Sequence, residues 1–305
     1  MRLAIIIPAF NEEKSVARIL SDIPTTLPGV SSIHRIVIDD GSTDQTAAQA
    51  RAAGAQVFSH TNRIGLAAAF RTGLNAALTS GADAIVTLDA DGQYQASEIA
   101  LLWEEMRRTG ADLVVGNRCV LSQRHMPAGN RIGNVLGSLM LRVMGVTRIR
   151  DASSGFRLFS SELGSSLRIM SRHTYTHEML IQADAYGFQT AEIPVTFLPR
   201  AHGKSKLVRT LRHHILRSCG TIVRSTFLYR PLRKFLLLSA VCMVVGGLMI
   251  VSTLRQLPLE IGALTLPVLF IVAGLQFLIL GVIAEAFAAD RRVAHERERV
   301  TSHRL

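Results

Sequence analysis

Three runs of strand length, Leu3-Ala4-Ile5-Ile6-Ile7, Arg35-Ile36-Val37-Ile38 and Ala84-Ile85-Val86-Thr87-Leu88, are apolar almost throughout and pass directly into polar segments. Near-continuous apolar runs are expected of parallel strands buried on both faces, because a strand with one wet face alternates instead. Helical patterns follow two of them. One covers Thr46 to Ala53 behind Ser42 or Thr43 as N-cap; the other covers Glu98 to Arg108 behind Ser97, with Ile99, Leu102 and Met106 on one face. The order β-α-β-α predicts an open α/β sheet, whose ligand crevice lies outside the carboxyl ends of its strands.

Those ends are Pro8-Ala9-Phe10-Asn11-Glu12, Asp39-Asp40-Gly41-Ser42-Thr43-Asp44 and Asp89-Ala90-Asp91-Gly92-Gln93. In the third, two carboxylates stand two residues apart at a strand end, a pattern suited to a hard Mg²⁺ or Mn²⁺ ion that holds substrate phosphates. An isolated Asp-x-Asp-Gly is more often a surface turn. Here polar, carboxylate-rich ends recur on three successive strands, which solubility alone does not require. An EF-hand loop is excluded, since Gly92 follows the second Asp directly.

Further motifs follow in order: Gly116-Asn117-Arg118, Asn130-Arg131-Ile132-Gly133-Asn134, Ser154-Gly155-Phe156-Arg157 and Gly203-Lys204-Ser205-Lys206. With the three strand ends, they make the first two thirds of the chain resemble family-two glycosyltransferases, the dolichyl- and polyprenyl-phosphate sugar transferases in particular. The resemblance implies a GT-A-type, Rossmann-like nucleotide-sugar domain. Its activity would be inverting transfer of a hexose from a UDP- or GDP-sugar to a polyprenyl (undecaprenyl or dolichyl) phosphate. It implies a Mg²⁺ or Mn²⁺ cofactor on Asp89 and Asp91, joined by Gln93. It implies a nucleotide pocket of Pro8, Ala9, Glu12, Asp39 and Asp40, with Arg63 and Arg71 as helpers. Arg118, Arg131 and Arg200 would hold the lipid phosphate, with Ser205 and Lys206 in a closing loop and Arg157 as either a clamp or a structural ion-pair partner. Asp151 matches a carboxylate proposed as base in related enzymes, and Glu178 is a second candidate; each is equally suited to orienting an arginine. A lipid monophosphate, with a second pKa of about 6, arrives largely ionised and needs no base. The chain departs from the family after Asp-Gly-Gln, where Tyr94-Gln95-Ala96-Ser97-Glu98 replaces His-Pro-Pro-Glu.

Toward the end, Phe235 to Leu254 and Ile261 to Ala284 carry no charge and are separated only by Arg255-Gln256-Leu257-Pro258-Leu259-Glu260. Buried core helices would explain one such run; two adjacent runs predict a transmembrane hairpin. The net charge of +11 is concentrated just before it, since Arg200 to Lys234 holds many basic residues and no Asp or Glu. Leu207, Leu211, Ile215 and Ile222 share a helical face there, with Arg209, Arg217 and Arg224 away from it. Such a helix suits an anionic lipid bilayer better than nucleic acid. The alternative is an ordinary helix with a solvated basic face.

The expected organisation is a catalytic domain over 1–205, basic juxtamembrane helices over 206–232, the hairpin over 233–288 and a tail over 289–305. Basic flanks on both sides of the hairpin place the catalytic domain and both termini in the cytoplasm, at the inner (plasma) membrane. Helix pairing between copies would give a homo-oligomer. No secretory signal is visible, and Cys119, Cys219 and Cys242 read as reduced structural thiols. A stripe of Ile132, Val135, Leu136, Leu139, Met140 and Val143 lies beside Arg131; core packing is its commoner meaning, and docking of an isoprenoid chain the other. A processive polysaccharide synthase is disfavoured, because Gln-x-x-Arg-Trp is absent. A transferase to another membrane-associated acceptor and a non-catalytic nucleotide-sugar-binding accessory protein are the other readings.

Overall fold

The computed structural model describes residues 1–171, 174–200, 211–229, 231–255 and 261–302, the side chains of 211–219, 261 and 291–302 excepted. The chain forms two compact units, Met1–Ile222 and Val223–Leu305. In the first, β1 (Arg2–Ala9), α1 (Val16–Asp22), β2 (Ser32–Asp39), α2 (Thr46–Ala52), β3 (Gln56–Ser59), α3 (Leu66–Thr79) and β4 (Ala84–Thr87) come in strict alternation. They are followed by α4 (Ile99–Thr109), β5 (Leu113–Asn117), α5 (Ala128–Val143), β6 (Arg157–Ser160), α6 (Ser161–Ser166), α7 (Thr176–Ala185) and β7 (Thr190–Pro194).

The seven strands form one sheet in the order β3-β2-β1-β4-β6-β5-β7. Every neighbouring pair is parallel except those of β6, which runs against both β4 and β5. The apolar runs earn their burial on both faces. Leu3, Ile5 and Ile7 join Val16, Ile19, Leu20, Leu102 and Trp103 on one side, while α3 lies against Ile6 and Ile38 on the other. This is a GT-A-like mixed α/β sheet. Its parallel strands bring Glu12, Asp40 and Asp89 to one edge. The reversed β6 brings the segment before it, residues 151–156, to that same edge.

The start of α2 differs from the expected cap. The Ser42 hydroxyl accepts the Asn11 N–H at 2.9 Å, and neither it nor Thr43 stands at the N-cap position, which Gln45 occupies. The helix opens at Thr46, whose N–H is received by Asp44 Oδ1 at 3.0 Å.

Helix α8 (Leu211–Tyr229) leads on to α9 (Pro231–Leu254) and, after a short turn at Ile261–Leu264, to α10 (Thr265–Ser302). Of the expected apolar stripe on α8, Ile222 is buried; Leu207 and the side chains of Leu211 and Ile215 lie outside the described residues. Pro231–Leu254 and Gly262–Asp290 are each long and apolar enough to cross a membrane. At 24 residues α9 spans about 36 Å, more than a bilayer's hydrocarbon core of about 30 Å. Their apolar side chains face outward, with Leu237 67%, Leu248 66% and Leu269 62% exposed. That is unlike the core helices of a water-soluble protein. Between the two helices, contact is made where side chains vanish. A Cβ on Gly246 would lie 2.9 Å from Ile271, and one on Gly274 would lie 2.9 Å from Met243 and 3.1 Å from the Ser239 carbonyl. Such close approach is how helices pair where burial from water supplies no drive.

Candidate active site

The cleft at the carboxyl edge is built first from β1 and β2. Asn11 adopts a left-handed conformation (φ 52°) that Asn tolerates better than most residues. Its side-chain oxygen accepts the Thr43 N–H at 2.8 Å, which locks the two strand ends together. Asp40 then holds the loop after β3. It accepts from Ile64 N at 3.0 Å and Gly65 N at 2.9 Å, and it pairs with His60 Nδ1 at 2.9 Å. Gly41 makes this possible, since a Cβ there would lie 2.6 Å from the Asn62 carbonyl carbon. The loop so held sets Arg63 over the Phe10 ring, 4.3 Å from its centroid. Asp39 turns inward to its own loop, accepting Ser42 N at 3.0 Å.

Asp89 and Asp91 follow β4. Asp89 packs against Gly155, where a Cβ would lie 2.9 Å from Oδ2; only glycine lets the segment before β6 come so close. Its carboxyl is pushed up to about 7, first by enclosure and next by the charge of Asp91. Arg200 answers that charge, with Nη2 2.6 Å from Asp91 Oδ2 and Nη1 3.3 Å from Glu12 Oε1. Arg200 is placed by a two-way tie between residues 93 and 198: Leu198 N donates to the Gln93 carbonyl at 2.7 Å, and Gln93 Nε2 donates to the Leu198 carbonyl at 3.2 Å. Gln93 therefore anchors the arginine's segment, and its backbone N–H donates to Asp91 Oδ1 at 3.1 Å.

Pro8, Ala9, Phe10, Glu12, Asp40, Arg63, Leu66, Asp89, Asp91 and Arg200 thus line a single cleft. Among the described residues no group of three or more His, Cys, Asp or Glu converges as a metal site. Asp89 and Asp91 fit a divalent ion that takes two hard oxygen donors from protein and the remainder from phosphates and water, as Mg²⁺ commonly does. A guanidinium already drawn to Asp91 marks the place as one that calls for positive charge.

Asp151 is nearly inaccessible and grips Arg118 with both oxygens, Nη2–Oδ1 2.7 Å and Nε–Oδ2 2.8 Å, while the Arg118 N–H donates at 3.0 Å. Burial pushes Asp151 up, but the charge and hydrogen bonds of Arg118 outweigh it and hold the carboxyl below its usual range. Both oxygens of Asp151 are thus engaged by Arg118, the contact that the second of the two roles open to it in the sequence requires. Arg118 lies 5.4 Å from the Phe197 ring centroid.

Three arginine and glutamate candidates are placed elsewhere. Arg157 is fully buried and donates to the carbonyls of Ser154, Thr176 and Ala152 at 2.7–2.8 Å, with burial pushing it down to about 10. It is a brace for the chain around β6, not a group in the cleft. Arg71 donates to the carbonyls of Ile169 and Ser171 at 3.4 Å. Glu178 accepts from Met170 N at 2.8 Å and Ser171 N at 3.1 Å. Both hold the loop before α7. Ser205 and Lys206 lie outside the described residues. Cys119 is exposed, not buried as a structural thiol would be, and Cys242 is half-buried; both are free.

Arg131 is apart from the nucleotide-side cleft, on α5. With Leu121, Ala128, Ile132, Val135, Leu136 and Leu139 it lines an apolar groove of about 420 Å³. The stripe on this helix is open: Ile132 is 65% and Val143 78% exposed. His60, Phe10 and Ser153 had no role in the sequence. Phe10 and His60 each stand directly after a strand end; Phe10 was passed over as an apolar residue within its motif, and β3 is too short and too exposed to read as a strand.

A mixed sheet of this order, with paired carboxylates after its fourth strand, defines a sugar-nucleotide transferase fold of the GT-A kind. Residues 4–163 match the family model described as glycosyl transferase family 2, and the chain belongs to that family. It is 33% identical over 215 residues to an uncharacterized glycosyltransferase of Mycobacterium tuberculosis, covering 70% of this chain and 93% of the relative. It is 29% identical to the undecaprenyl-phosphate mannosyltransferase of Micrococcus luteus, over 68% of this chain and 88% of that protein. It is 28% identical to the polyprenol monophosphomannose synthase of Mycolicibacterium smegmatis, over 68% and 81%. Among solved structures, glucosyl-3-phosphoglycerate synthase from Mycobacterium tuberculosis, complexed with Mn²⁺, UDP and glucosyl-3-phosphoglycerate, shares the fold. Its TM-score is 0.54 at 22% identity, covering 74% of this chain and 78% of that one.

Proposed function

We propose that the chain transfers a hexose from a UDP- or GDP-sugar to a polyprenyl phosphate at the cytoplasmic face of the membrane, with inversion at the anomeric carbon. The observation that carries this reading is the presence of two sites in one compact unit. One is an acidic cleft with a counter-arginine, suited to a nucleotide diphosphate and its cation. The other is an apolar groove headed by Arg131, suited to a prenyl chain ending in phosphate. The names of the Micrococcus and Mycolicibacterium relatives support the acceptor.

In this reading Asp89 and Asp91 hold Mg²⁺ or Mn²⁺, which when bound neutralises charge on the leaving diphosphate. Phe10 and Arg63 wall the nucleotide side, with Asp40 fixing their loop. Arg200, expected from the sequence on the lipid phosphate, stands on Asp91 and Glu12 in the nucleotide-side cleft and is assigned here to the donor phosphates instead. Arg118 and Arg131 hold the acceptor phosphate in line, since planar guanidinium groups suit phosphate oxygens and offset the repulsion between two anions. The phosphate oxygen attacks the anomeric carbon as the bond to the diphosphate oxygen breaks. No base is needed, because the acceptor is already ionised and Asp151 is committed to Arg118.

The test is transfer of radiolabelled sugar from UDP- and GDP-hexoses into organic-extractable lipid. Asp89→Asn and Asp91→Asn should each lower the rate on the order of 10²-fold or more, the usual consequence of losing one electrostatic term in the transition state. Near-normal rates in both variants would remove the carboxylates from the mechanism. Absence of labelled lipid with every donor would favour the accessory-protein reading.

A further inference from the structure

Ser153 has one hydroxyl proton to give and two lone pairs to offer. Its Oγ donates to Asn134 Oδ1 at 2.9 Å and accepts from Arg118 Nη2 at 3.0 Å. A second acceptor, Asp151 Oδ1, stands at 3.4 Å, and this is the oxygen that Arg118 Nη2 holds at 2.7 Å. The direction of one proton therefore decides how Arg118 is held. Drawn to Asn134, it leaves a lone pair for the guanidinium and leaves Asp151 to Arg118 alone. Without an acceptor at position 134, the hydroxyl turns to Asp151 and competes with the arginine for it.

Asn134 is set for this task. Its Nδ2 points to Met126 Sδ at 3.6 Å, which aims Oδ1 at Ser153. A second hydroxyl ties the same helix to the same loop: Ser138 Oγ donates to the Asn134 carbonyl at 2.9 Å and accepts Ala152 N at 3.0 Å. Helix α5, which carries Arg131 and the groove, thus reaches Arg118 through Asn134 and Ser153.

We infer that Asn134 is a positioning residue, through which α5 sets the hydroxyl of Ser153 and thereby the phosphate-facing guanidinium of Arg118. This rests on the proposed acceptor. Its consequence is that the two acceptor-side arginines, on different segments, act as one unit.

The test measures binding of farnesyl phosphate and of farnesol to the full chain in detergent micelles by titration calorimetry. The wild-type chain is expected to prefer the phosphate. In Asn134→Ala that preference falls about tenfold, the scale of a lost hydrogen bond to a charged group, while UDP and GDP affinities hold. Asn134→Asp, which keeps an acceptor oxygen, recovers it. Because the two residues act in series, Asn134→Ala added to Ser153→Ala costs nothing more. An unchanged preference in Asn134→Ala, a loss that Asn134→Asp does not recover, or additive losses would each overturn the link. A wild-type chain that binds farnesol as well as farnesyl phosphate would overturn the acceptor reading itself, a result visible before any variant is made.

Discussion

Asp89 sits where enclosure and the nearby Asp91 both resist its ionisation, which moves its carboxyl from 3.8 to about 7. A cation must displace the proton that this shift retains, so affinity rises with pH until the group is ionised. Mn²⁺ titrated into the metal-free chain should bind about tenfold more tightly at pH 8 than at pH 6, and release a proton at the lower pH. Affinity flat across that range would separate Asp89 from the metal. The sign for stability is the reverse. The folded, metal-free chain holds a proton that the unfolded chain gives up, so its stability falls as pH rises between about 4 and 7. Residues of this kind were legible in the sequence, because a strand end places them whatever the distant chain does. Arg71, Arg157 and Glu178 were not. Their partners are backbone carbonyls and N–H groups of remote segments, and residue type carries no record of those.

Among elements, the parallel half of the sheet and the terminal hairpin announce themselves by long apolar runs. Strand β6 does not. It is four residues long, and its direction depends on α5 and the loop after it, which return the chain to the cleft edge. The stripe on α5 was visible as a pattern, but a pattern gives periodicity, not what covers it; only the fold reveals that Ile132 and Val143 stand open. The hairpin makes a firmer demand. Gly246→Leu would drive a side chain into Ile271 and the Pro267 carbonyl, where even a Cβ lies within 3.0 Å. Overpacking of this sort costs about 1–3 kcal/mol. Thermal unfolding in detergent should show the loss, while Gly247→Leu, at a position with nothing within 4 Å, should leave the midpoint alone. Equal effects would mean that the two helices do not pair through this face.

For the whole molecule, the proposed orientation follows from charge. Basic residues flank both ends of the hairpin and the chain carries a net +11, which under the positive-inside rule holds those ends in the cytoplasm. Alkaline phosphatase and fluorescent-protein fusions after Arg255 and after Arg292 should report opposite sides of the membrane; agreement between them would rule out the hairpin. The reversal of β6 bears on handling of the protein as well. The cleft residues lie at the carboxyl end of β1 or on segments that follow β1, β2, β3, β4 and β7, and the segment that precedes β6 packs against Asp89 from the same edge. The exposed turns at the other edge, around Gly54, Gly110 and Gly187, carry none of them. A dye, an affinity handle or a foreign domain spliced into those turns would be separated from the chemistry by the width of the sheet. That edge is where the molecule can be held, labelled or tethered to a surface while it works.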